Sequence, residues 1–111
     1  MMTVEQVYIE TAKIMKALSD PKRLRIVDML SQGEMCAHNI QSAFSISQPT
    51  LSHDMRVLKE AGITSEKRMG KNIFYTLNFE TLESWTKSIG LISSENMSFI
   101  ESSSEGEIPE E

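Results

Sequence analysis

Residues 36–62 read CAHNIQSAFSISQPTLSHDMRVLKEAG, two helical patterns separated by a short polar turn. The first covers Ala37 to Phe44. Met35 and Ile40 are spaced as a hydrophobic staple around it, and Cys36 stands where Ser or Thr would normally cap, although a thiol is a poor capping acceptor. After Ser45-Ile46-Ser47 the second pattern begins. Ser47 can accept from the free N–H groups of a first turn, Pro49 lies where a missing donor costs nothing, and Leu51, Met55 and Leu58 recur on one face. Gly62 supplies the left-handed residue that ends it. Two short helices joined by so brief a turn form a helix-turn-helix, whose second helix is the one that enters a major groove.

Upstream of this stretch, Thr3 and Gln6 fit a capping box, and Val4, Val7, Tyr8, Met15 and Leu18 recur with helical spacing. They predict a first helix to about Ser19, buried along that stripe, with Ile9 and Ile14 apolar beyond it. Asp20-Pro21 restarts the chain as a cap followed by a first-turn proline, and Leu24, Ile26, Val27 and Leu30 predict the buried face of a second helix that Gly33 stops. Downstream the period changes to two. Ile63, Ser65 and Lys67 alternate before Arg68-Met69-Gly70-Lys71, and Ile73, Tyr75 and Leu77 alternate after it, the pattern of a β-hairpin with a basic tip. Asn78 can cap a last helix bearing Phe79, Leu82, Trp85, Ile89 and Ile92. The architecture expected is mainly α: a winged helix-turn-helix of about five helices plus a two-stranded wing.

The chain of 111 residues and 12.6 kDa is the size of one domain. Its net charge of −5 is unevenly placed. All eleven Lys and Arg and ten of the sixteen Asp and Glu fall within residues 1–90, while Glu95, Glu101, Glu105, Glu107, Glu110 and Glu111 follow with no base among them. The acidity belongs to the tail, so it argues little against phosphate binding by the rest. We expect residues 1–92 to be a DNA-binding and dimerisation domain and residues 93–111 an acidic tail too poor in apolar surface to order itself. No apolar run is long enough for a membrane helix, and MMTVEQVYIETAK lacks the order of a signal peptide, so a cytoplasmic location with no membrane partner is expected. The single cysteine, Cys36, excludes an internal disulfide.

Three motifs in order, KALSDPKRLRI (residues 16–26), SQPTLSH (residues 47–53) and LKEAGI (residues 58–63), resemble the ArsR/SmtB family of bacterial metal-responsive repressors, over residues 13 to about 85. The resemblance implies a homodimer that binds palindromic double-stranded operator DNA and leaves it when an inducer binds, with the first and last helices forming the dimer contact. Carried onto matching positions, it gives a recognition helix that begins at Ser47 and exposes Gln48, Thr50, Ser52, His53 and Arg56. The chemistry of these side chains suits that role, since Gln pairs bidentately with adenine and Arg with guanine, while Ser and Thr hold phosphate. Lys67, Arg68 and Lys71 at the wing tip have charge without a rigid pocket, which fits phosphate contact and affinity rather than base reading. Only Glu66 is an adjacent acid.

Many relatives that respond to arsenic or soft metals carry Cys-x-Cys at the start of the third helix, where this chain has Cys36-Ala37-His38. Trivalent arsenic favours three thiolates, and a single thiolate serves it poorly. A thiolate with an imidazole suits zinc, nickel or copper better, but two ligands fall short of a closed site. Others would have to come from elsewhere, such as Glu5, Tyr8 and Glu10 in the N-terminal segment of a second copy. The family's other metal site, on the closing helix, needs histidines, and this helix has none. The alternative is a metal-independent repressor in which Cys36 is structural or, beside a histidine at a helix start, redox-reactive. A thiol enzyme using Cys36 and His38 is not expected, since no second acid, oxyanion glycine motif or cofactor loop accompanies them.

Overall fold

The computed structural model describes residues 2–93. The chain forms α1 (Val4–Ala17), α2 (Pro21–Leu30), β1 (Met35–Cys36), α3 (Ala37–Phe44), α4 (Gln48–Glu60), β2 (Thr64–Met69), β3 (Asn72–Leu77) and α5 (Phe79–Ser93). Beyond Ser93, the expected acidic tail lies outside the described residues.

Local chemistry sets most of the boundaries. The Gln6 N–H donates to the Thr3 hydroxyl at 3.1 Å and the Thr3 N–H to the Gln6 side-chain oxygen at 2.8 Å, a complete capping box for α1. Asp20 caps α2 ahead of Pro21. Helix α4 ends in the paired bonds of a Schellman motif, the Ile63 N–H to the Leu58 carbonyl at 3.0 Å and the Gly62 N–H to the Lys59 carbonyl at 2.9 Å, with Gly62 at φ +81°. Gly70, at φ +63°, opens the two-residue turn between Met69 and Asn72, as the twist of a tight hairpin requires. Asn78 fastens the hairpin base to the end of α4. Its side-chain amide donates to the Gly62 carbonyl and its oxygen accepts from the Ser65 hydroxyl, both at 2.9 Å.

The core joins Ile26 and Leu30 of α2, Ile40 of α3, Met55 and Leu58 of α4, and Ile63, with Tyr75 and Leu77 of β3 closing it. The Arg25 guanidinium over the Phe44 ring, 5.0 Å from its centroid, adds a tie between α2 and α3.

Three features depart from the sequence reading. The sheet has three strands in the order β1-β3-β2, because Met35 and Cys36 pair antiparallel with Tyr75 and Phe74 before α3 begins. A two-residue strand is too short to show a period. In α1 the core face is Thr11, Ile14 and Ala17, whereas Val4, Tyr8 and Met15 of the expected stripe are exposed. Small side chains at Thr11 and Ala17 suit close packing, and the Trp85 indole N–H of α5 reaches the Thr11 carbonyl at 3.2 Å. The apolar stripe is real but points away from this chain's core, as do Leu91 and Ile92 on α5. Leu24, expected inside, is half exposed on α2. Among the described residues no helix is long and apolar enough to cross a membrane.

Candidate nucleic-acid interface

Helices α3 and α4, joined by Ser45-Ile46-Ser47, set α4 on the surface with one face inward and one outward. Leu51, Asp54, Met55 and Leu58 are buried, and Gln48, Ser52, His53 and Arg56 are exposed on the other side. Ser47 and Thr50 are brought together in the cap: the Thr50 N–H donates to the Ser47 oxygen at 3.3 Å, and the Ser47 hydroxyl donates to the Thr50 hydroxyl oxygen at 3.0 Å. The Thr50 hydroxyl proton therefore stays available at a helix N-terminus, where an anion is favoured.

Asp54 is a residue that the sequence reading does not single out. It sits in the apolar stripe of α4, and its side chain is 2% exposed. Lys22 places its ammonium 2.7 Å from Oδ2, and Arg23 places Nη1 3.2 Å from Oδ1. Arg23 also donates through Nε to the Ala17 carbonyl at 2.7 Å and lies 3.6 Å from Asp20. Helix α4 is thus pinned by a buried carboxylate to the start of α2 and, through Arg23, to the end of α1. The sequence does carry a signal for it: a carboxylate three residues after Leu51 and four before Leu58, on a stripe where every neighbour is apolar, downstream of a Lys-Arg pair.

The wing has two sides. Opposed residues in the ladder share a face, so Glu66, Arg68, Ile73 and Tyr75 face one way and Lys67 and Phe74 the other. Lys71, at the turn, lines a groove of about 220 Å³ between the wing and the helix-turn-helix, together with His38, Gln41, Gln48, Ser52 and Asn72. Buried Tyr75 closes its floor. Burial pushes the Tyr75 phenol above its usual pKa, Glu66 opposite adds to the shift, and Arg68 opposes it. Lys67 lies 3.3 Å from Glu34, and Glu66 lies 3.7 Å from Lys59, so the acid beside Lys67 in space is not its sequence neighbour. Arg68 and Lys71 have no ion pair among the described residues.

Removing Lys71 should therefore weaken binding to any duplex. Lys71→Ala is expected to lower affinity for operator and random DNA alike and to reduce the slope of log affinity against log salt by about one unit. Lys67→Ala should do less, since Lys67 must leave Glu34 to meet a phosphate. Fluorescence anisotropy across a salt series measures both, and a loss confined to one sequence would contradict the assignment.

Cys36 is half buried at the cap position of α3, without a side-chain cap bond, and its backbone is held in the sheet. His38 is exposed at the start of α3 and lines the groove facing α4. Among the described residues no three of His, Cys, Asp and Glu converge as metal ligands. One thiol and one imidazole do not close a metal site within a single protomer.

A family model described as "Bacterial regulatory protein, arsR family" matches residues 20–65. The arsenical resistance operon repressor of Staphylococcus xylosus is 41% identical over 85 residues, 77% of this chain and 82% of that protein. The crystal structure of the transcriptional repressor BigR from Xylella fastidiosa superposes with a TM-score of 0.63 at 35% identity, covering 81% of this chain and 93% of that one. A homodimeric winged helix-turn-helix DNA-binding domain from Mycobacterium bovis, solved in solution, shares the fold with a TM-score of 0.67 at 19% identity, covering 100% of this chain and 97% of that one.

Proposed function

The chain belongs to the ArsR family of bacterial regulatory proteins, DNA-binding transcriptional repressors rather than enzymes, and from that premise we propose how it reads and releases its operator. It acts in the cytoplasm as a homodimer, each protomer laying α4 in a major groove and its wing along the adjoining backbone. Residues 1–92 form the DNA-binding and dimerisation unit, and residues 93–111 an acidic tail. The observation that carries this reading is the polar, outward face of α4, clamped from behind through Asp54. Gln48, Ser52, His53 and Arg56 meet base edges and nearby phosphates; Ser47 and Thr50 hold the helix start against the backbone; Arg68 and Lys71, with Lys67 behind them, add charge. The apolar residues left outward on α1 and α5, among them Tyr8, Met15 and Leu91, supply the dimer surface.

Two readings of release remain distinct in chemistry. In one, a transition-metal ion such as zinc, nickel or copper binds Cys36 and His38 with donors from a second copy. In the other the repressor is metal-independent and Cys36 packs the start of α3. The second is favoured by the half-buried, sheet-bound Cys36 and by His38 lining the groove toward α4.

A gel shift against DNA upstream of the chain's own gene, with zinc, nickel, copper and arsenite in turn, tests both levels. Cys36→Ser should keep operator affinity without metal, because a hydroxyl matches the thiol in size and caps α3 better. Release by an ion in the wild type but not in this variant assigns Cys36 to the inducer site. Equal release, or none, assigns it to packing.

A further inference from the structure

On the side of α4 away from the wing, α1, α2 and α4 enclose a pocket of about 420 Å³, open to solvent and lined by Lys13, Lys16, Arg23, His53, Val57 and Glu60. Two lysines, an Arg23 already paired with Asp54 and Asp20, and an imidazole line it with one acid, Glu60. Lys13 and Lys16 are exposed and have no ion pair among the described residues, so both ammonium groups are available to an anion. Arg23 is different in kind. Its Nε and Nη1 are bound to the Ala17 carbonyl and to Asp54, which fixes the guanidinium plane, while Nη2 has no partner among the described residues. A cationic cleft with a pre-set guanidinium focuses field on whatever anion enters it. Beside these groups, Ala17, Val57 and Ala61 give the pocket an apolar wall.

We propose that this pocket binds a small organic anion, a carboxylate or phosphate monoester with a compact apolar body, as an effector of DNA binding. The anionic group meets Lys13, Lys16 and the free end of Arg23, and the apolar body lies on Val57 and Ala61. The coupling rests on the assignment of His53 to the operator interface. His53 lines the pocket and also belongs to the outward face of α4, so an anion that engages it there withdraws it from DNA. By linkage, operator must weaken the anion by the factor through which the anion weakens operator.

The test uses the full chain, labelled with ¹⁵N, titrated with phenyl phosphate against sodium chloride at matched ionic strength. Saturable shifts of the Lys16, Val57 and Ala61 amides are expected. They should be lost in Lys13→Gln/Lys16→Gln and kept in Lys67→Gln/Lys71→Gln. Shifts that follow ionic strength alone, centre on the wing, or persist in Lys13→Gln/Lys16→Gln overturn the proposal. In parallel, saturating phenyl phosphate should lower operator affinity about fivefold or more in the wild type. Without the anion, Lys13→Gln/Lys16→Gln should bind operator with the wild-type salt slope. A slope smaller by about two units would mean that these lysines sit on DNA phosphates, which also overturns it. A wild type that takes up phenyl phosphate but binds no DNA supports the pocket and rejects the operator reading instead.

Discussion

Asp54→Ala is expected to destabilise the protein by roughly 3 kcal/mol, the lower end of what breaking a buried ion pair costs, because one side of the pair has a route to water. Lys22 remains 28% exposed and can turn outward when its carboxylate is gone, whereas Arg23, at 14%, is held by the Ala17 carbonyl and cannot follow. The loss should appear as a lower urea midpoint at matched protein concentration. It should also reach function, since α4 would lose its tie to α1 and α2. Lys22→Ala gives a built-in comparison: it leaves the Arg23 contact to Asp54 in place and should cost less. Equal stability of Asp54→Ala and wild type would show that the clamp contributes nothing beyond packing.

The second large effect is expected at the outward face of the same helix. Ser52→Ala and His53→Ala should each weaken operator binding by about 1–3 kcal/mol if they meet base edges or close phosphates. As neighbours on one turn their effects should not add. Both are exposed and neither holds the core, so the helical circular dichroism should stay unchanged. Random DNA should lose less than operator does, the reverse of the pattern expected for Lys71→Ala. Unchanged operator affinity with a normal spectrum would remove α4 from the role of recognition helix.

What the sequence makes legible is whatever a few adjacent residues decide. Thr3 with Gln6, Asp20 with Pro21, Ser47 and Gly62 each act through donors and acceptors within one turn, and each bounds a helix as expected. What escapes it depends on residues far apart in the chain. Val4, Tyr8 and Met15 form a true apolar stripe, but periodicity does not say which of two faces meets the core, and Thr11 and Ala17 take that place by being small enough for close approach. Strand β1 exists only because Tyr75 and Phe74 lie beside it. The burial of Asp54 needs Lys22 and Arg23, about thirty residues upstream. The two-sidedness of the wing needs the register, which moves Lys67 to Glu34 and Glu66 to Lys59. The site is legible in the same measure. The positions on α4 follow from helical period, while the groove that joins His38, Gln48 and Lys71 depends on three elements meeting.

The central claim is that α4 reads DNA sequence through its outward face, and one competition measurement tests it most directly. Fluorescence anisotropy at fixed physiological salt compares the wild type and the Ser52→Ala/His53→Ala double variant, each with labelled DNA from upstream of the gene and random duplex of equal length as competitor. The wild type should prefer the upstream DNA by about a thousandfold or more, and the double variant should lose most of that ratio while keeping its salt slope. A preference that survives the double substitution intact, or a wild type with no preference at any salt concentration, would contradict the account.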